Sequence, residues 1–163
     1  MKKTMVSVLF LLTGLLVFAA CSSSSDTPKK EVTKTSKEMT TEMMEGKELP
    51  AFVEIEDDAQ LKDFYGIDGA LLEDYSVHMP MMNVKSDELA VLRLKDQKDI
   101  STVEEQLKKR AEAIQQQFEQ YLPDQYEHAK NYQIVQQGNY ILFVIAEDTK
   151  QFIDSFNAFF EEK

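Results

Sequence analysis

Tyr132-Gln133-Ile134-Val135-Gln136-Gln137-Gly138-Asn139-Tyr140-Ile141-Leu142-Phe143-Val144-Ile145-Ala146 reads as two strands joined by a tight turn. Gly-Asn supplies the turn, because glycine takes a positive φ without steric cost and asparagine tolerates one. The second strand is apolar at every position from Tyr140 to Ile145, where a half-exposed strand would alternate. It therefore belongs in the centre of a sheet.

Working outward, Asp148 or Thr149 caps a helix in which Phe152, Ile153, Phe156, Phe159 and Phe160 recur at helical spacing. Such a stripe packs into a core. Before the hairpin, Ser101 and Glu104 have the spacing of a capping box. Val103, Leu107, Ala111, Ile114, Phe118 and Tyr121 then mark one face of a long helix that Pro123 stops. A short helical turn covers Asp124 to Lys130. Earlier still, Asp74 to Met79 alternates, with Tyr75, Val77 and Met79 on one face and Pro80 at its end, and Glu88 to Lys95 forms its partner strand. Ala90, Leu92 and Leu94 face the core of that strand, and Arg93 and Lys95 its wetter side. Asp57 and Asp58 open a short helix through Leu61, Phe64 and Tyr65, with Gly66 just beyond. The order is α-ββα-ββα. It predicts an α+β domain over residues 51–163, a four-stranded, mainly antiparallel sheet with its helices packed on one face.

The remaining chain reads differently. Lys2 and Lys3 precede an apolar run from Met5 to Phe18, and Ala19-Ala20-Cys21-Ser22 follows. A basic start, a short apolar segment and small residues before a cysteine predict a lipoprotein signal peptide over 1–20. The segment is shorter than the roughly twenty apolar residues of a spanning helix. Cys21 is the single cysteine. It is the expected lipidation site, since a thiol can form the thioether of a diacylglycerol and two acyl chains anchor stably. That covalent lipid is the only cofactor-like group expected. Residues 21–50, rich in Ser, Thr, Lys and Glu with no aromatic, read as a flexible tether. Such a coil reaches about 30 Å on average and about 95 Å when extended. Within it, Met39, Met43 and Met44 hint at a weak helical turn.

Charge narrows the function. The whole chain carries −11, and residues 51–163 alone carry −12. An acidic surface argues against nucleic acid and against a polybasic grip on anionic lipid. The chain holds no HExxH, no GxSxG, no phosphate-binding glycine loop and no calcium-hand loop. No catalytic residue stands out.

Four groups of residues carry what chemistry there is. His78-Met79-Pro80-Met81-Met82 combines imidazole with thioethers, a set that suits Cu(I). Strand alternation sends His78 and Met79 to opposite faces, so a shared site needs the Pro80 bend or the methionines at 39, 43 and 44. The competing account has these methionines filling core gaps or an adaptable contact surface. Arg110 borders the apolar face of the long helix, where it can pair with a buried carboxylate or receive a ligand's. Tyr75, Tyr132 and Tyr140 outline a groove or sheet face for a partner. His128, near Glu127 on a helical turn, is expected to be exposed.

Arg110, then Phe118 and Tyr121 followed by Pro123, then Gly138 and Tyr140 opening an apolar strand and an acidic helix cap, resemble the bacterial lipoproteins of the DUF4358 family, a domain of unknown function. The resemblance covers about residues 55 to 160. It implies a lipid-anchored extracytoplasmic protein on the outer face of the cytoplasmic membrane, in a Gram-positive type of envelope. It brings no catalytic or binding residues with it. The expectation is a non-enzymatic binding or accessory module, held to the membrane by its lipid, that contacts an envelope protein or a cell-wall ligand. Cu(I) binding and an envelope enzyme without a known motif stand as alternatives.

Overall fold

The computed structural model describes residues 32–161. The leader and Cys21 lie outside them. In chain order the elements are α1 (Ser36–Met44), β1 (Phe52–Glu54), α2 (Asp58–Tyr65), β2 (Leu72–Pro80), β3 (Glu88–Leu94), α3 (Ile100–Phe118), α4 (Pro123–Lys130), β4 (Gln133–Gln137), β5 (Tyr140–Ile145) and α5 (Lys150–Ala158). The class is α+β, as expected. The sheet has five strands rather than four, in the order β1-β2-β3-β5-β4, and every pair is antiparallel. The additional strand is β1. Its three residues are too few to show alternation, and pairing with the far end of β2, Phe52 opposite Pro80, creates it.

The helices lie on both faces, not on one. On the first face α2, α3 and α4 bury Leu61, Tyr65, Val103, Leu107, Phe118 and Ala129 against Val77, Ala90, Leu92, Ile141 and Phe143. On the second, α1 and α5 bury Met39, Met43, Phe152 and Phe156 against Leu89, Val91, Tyr140, Leu142 and Val144. Strand β5 is buried at all six positions because it has a strand on each side and a helix layer on each face. Each large apolar side chain fully withdrawn from water contributes roughly 1.5–3 kcal/mol, so neither layer is dispensable.

Part of the stretch read as a tether is therefore structural. Ser36–Met44 is a helix whose N-cap Thr35 forms a reciprocal capping box with Glu38. Met39 and Met43 project from successive turns into the second core. The neighbouring face of α1 meets a polar row on β2. Ser36 N donates to Asp74 Oδ1 at 2.8 Å, and Thr40 Oγ1 lies 2.8 Å from Ser76 Oγ. Asp74 also lies 2.7 Å from Arg93 Nη2.

Three local expectations change as well. Helix α3 begins at Ile100, after a short turn over Gln97–Asp99 capped by the Asp96 carboxylate, so the Ser101 box is not the start. Tyr121 lies beyond the helix and is 65% exposed, while Phe118 is buried. Phe64 is exposed, leaving Leu61 and Tyr65 as the buried face of α2. Gly138 has φ +61° in the β4–β5 turn and Gly66 has φ +68° at the end of α2, left-handed conformations that favour glycine.

Candidate functional site

Glu88, the first residue of β3, is 2% exposed. Burying a carboxylate costs several kcal/mol unless it is paired and hydrogen-bonded. Two helices supply the partners. Arg110 of α3 donates from Nε to Glu88 Oε2 at 3.1 Å and from Nη2 to Oε1, and Tyr65 of α2 donates its hydroxyl to Oε2 at 2.6 Å. The guanidinium carbon also sits 5.1 Å from the centre of the Tyr65 ring. Burial, and then the charge of Glu88, push the Tyr65 hydroxyl well above its ordinary pKa. Burial opposes the charge on Arg110, but its hydrogen bond and ion pair with Glu88 win and hold its pKa above the usual value. Arg110 pairs with a buried carboxylate through Nε and Nη2.

Glu88 and Arg110, but not Tyr65, form part of the lining of a cleft of about 220 Å³ between α3 and the loop joining β2 to β3. Met79, Met81, Ile114 and Phe118 supply apolar walls, and Lys85 and Ser86 line it too. The loop is braced. Ser86 donates from both N and Oγ to Gln125 Oε1, at 2.9 and 3.2 Å, and Gln117 Nε2 donates to Asn83 O at 3.4 Å. Beside the cleft, Met81 and Met82 are about three-fifths exposed and Val84 more than a third. Lysines and arginine outnumber carboxylates here, Lys85 and Arg110 against Glu88. The neighbouring cleft that Lys85 also borders has the opposite balance, with Glu48, Asp87, Glu147 and Asp148 in its lining.

The His-Met cluster is divided. Met79 packs on the first core, whereas His78 Nε2 lies 3.1 Å from Ser76 Oγ and 3.3 Å from Thr40 Oγ1 beneath α1 on the second face. The Pro80 bend does not reunite them, and Met39 and Met43 are consumed by the second core. Burial depresses the His78 pKa, partly offset by Glu54. Among the described residues no group of three or more His, Cys, Asp or Glu is placed to hold a metal ion.

The tyrosine groove does not form. Tyr75 and Tyr132 pack beside the first core, while Tyr140 is 4% exposed on the second. Tyr75 donates to Asp58 Oδ1 at 3.0 Å, and its pKa rises to about 12, first by burial and then by that hydrogen bond. Tyr140 donates to Lys34 O at 3.1 Å, tying the entry to α1 onto the sheet. His128 is half-buried rather than exposed, next to the acidic cleft. Sequence reasoning missed Lys85, Ser86 and Gln125. The spacing of Ser86 and Gln125 along the chain carries no signal, because only the return of α4 across the sheet end brings Gln125 to the Lys85-Ser86 loop.

Fold and cleft together define a small α+β domain with an antiparallel five-stranded sheet between two helix layers and a braced, partly apolar cleft at one strand end. The chain belongs to the family described as Domain of unknown function (DUF4358), whose model matches residues 45–146. The matched span holds the whole sheet and α2 to α4, and leaves out α1 and α5. No curated protein and no solved structure matches the chain. Among the described residues no helix is long and apolar enough to cross a membrane.

Proposed function

We propose that the chain is a lipid-anchored, extracytoplasmic protein of the cell envelope whose domain is a non-catalytic binding module for another envelope protein. The observation that carries the reading is the apolar cluster Met81, Met82 and Val84, exposed beside a cleft whose loop is braced from two helices. Methionines adapt to a contacting surface at little conformational cost, and a braced loop loses little entropy on binding. The leader ending at Cys21 supports placement at the membrane surface.

Two measurements test it. A photoreactive side chain at Met82 in the full chain should yield a discrete protein adduct in the intact envelope. The same group at the exposed Gln133, on the opposite sheet edge, should not. Met81→Lys should abolish the adduct without altering the melting temperature. Equal labelling from both positions, or none, refutes the binding of an envelope protein at this face. Cys21→Ala should release the chain from the membrane or leave it unprocessed; a processed, membrane-bound variant refutes the anchor.

A further inference from the structure

We propose that the cleft between α3 and the β2–β3 loop takes the C-terminal carboxylate and last apolar side chain of the partner protein. This rests on the binding-module reading and names its chemistry. The cleft offers about 220 Å³, smaller than the usual small-molecule site and suited to one side chain with its carboxylate. Its walls divide by chemistry. Met79, Met81, Ile114 and Phe118 provide the apolar part. The polar part is Lys85, which makes no ion pair among the described residues, and Arg110, whose Nε and Nη2 are committed to Glu88 while Nη1 makes no bond to it.

Charge selects the ligand further. Glu88 neutralises Arg110, so among the residues that line the cleft the single uncompensated charge is that of Lys85, which also acts on Asp87 of the neighbouring cleft, in a domain whose residues 51–163 sum to −12. A monoanion matches that local charge, whereas a dianion meets repulsion from the rest of the domain. A protein terminus fits better than a free acid because Met81, Met82 and Val84 extend the apolar surface beyond the cleft. The chain behind the carboxylate then has a surface to lie on. The loop brace holds these groups in place before the ligand arrives, which reduces the ordering cost of binding.

The test uses the full chain in detergent with methyl-labelled methionines, titrated with acetyl-alanyl-alanyl-leucine and with its C-terminal amide. The acid should shift the methyl signals of Met79 and Met81 and leave Met39 and Met43, on the far side of the sheet, unmoved. The amide should bind at least about tenfold more weakly, the loss of one charge-assisted contact. Lys85→Ala should produce a similar loss while retaining native methionine shifts. Equal affinity for acid and amide, no shift at Met79 and Met81, or binding indifferent to Lys85→Ala overturns the proposal. Acetyl-leucine binding as tightly as the tripeptide overturns its protein terminus in favour of a small free acid. A specific Met82 adduct without peptide binding leaves the module reading intact and rejects the terminus. Peptide binding without an adduct rejects the envelope partner instead.

Discussion

Arg110 Nε stands 3.1 Å from Glu88 Oε2, so the helix that crosses the first face of the sheet is joined to the first residue of β3 by a nearly dry ion pair. Removing one member leaves the other charge buried. Arg110→Met should therefore destabilise the domain by about 3–5 kcal/mol. The double variant Arg110→Met, Glu88→Leu should recover part of that loss, because an apolar pair of similar volume removes the orphaned charge and leaves the smaller cost of a Tyr65 hydroxyl without its acceptor. Urea denaturation of the three proteins checks this; a double variant as unstable as the single one would sink the account.

Tyr65 makes the same network sensitive to alkali. Its folded pKa is raised above the unfolded value near 10, by burial first and then by Glu88. A raised folded pKa means that the native state keeps its proton after the unfolded chain has lost it. The stabilisation is complete below about pH 10 and is lost as pH climbs toward the folded pKa. Tyr75, held near 12, adds to the same decline. Stability should thus fall above about pH 10 in the native protein and less steeply in Tyr65→Phe. Chemical denaturation at a series of alkaline pH values gives the slopes, and identical slopes would exclude the linkage.

Met39 and Met43 are fully buried under α1. Met39→Ala or Met43→Ala should cost about 2–5 kcal/mol, as expected for a large-to-small change in a packed core. Met44, only partly buried at the edge of that core, should cost less. Thermal melts of the full chain distinguish the positions. Three equally mild variants would mean that α1 does not hold the second face closed.

Those methionines also show where sequence legibility ends. The long helix, the hairpin around Gly138 and the buried run of β5 were readable because each carries its signal locally, in spacing, turn chemistry or an unbroken apolar string. The second helix layer had signals too. Thr35 and Glu38 have capping-box spacing, and Met39 and Met43 are one turn apart. They were submerged in a Ser/Thr/Lys/Glu-rich composition, and α1 is too short to stand without the sheet. Leu89, Val91, Leu142 and Val144 held the complementary evidence. They are the alternate positions of β3 and β5, and their apolar character requires cover on the second face. Lys85 and Gln125 were beyond reach for a different reason. Gln125 meets Ser86, the neighbour of Lys85, only through tertiary return of the chain, and no local pattern encodes that.

His78 connects the buried polar row to acid. Its ring lies under α1 with Nε2 near Ser76 and Thr40, and the charged groups facing it are Glu54 of β1 and Lys37 of α1. Burial lowers its folded pKa below the unfolded value near 6.5, with Glu54 opposing and Lys37 assisting. A depressed folded pKa contributes stability above about pH 6.5 that is lost as pH falls through the folded pKa. Protonation places a charge where two hydroxyls from Thr40 and Ser76 hold α1 against β2. The α1 amides should accordingly exchange faster with solvent below about pH 6.5, while the amides of α3 on the opposite face keep their protection. In His78→Phe, which keeps the bulk and cannot titrate, the acid dependence should vanish even if the basal exchange of α1 is faster. Hydrogen exchange followed segment by segment decides the matter, because parallel changes in α1 and α3 would trace acid sensitivity to global unfolding rather than to His78.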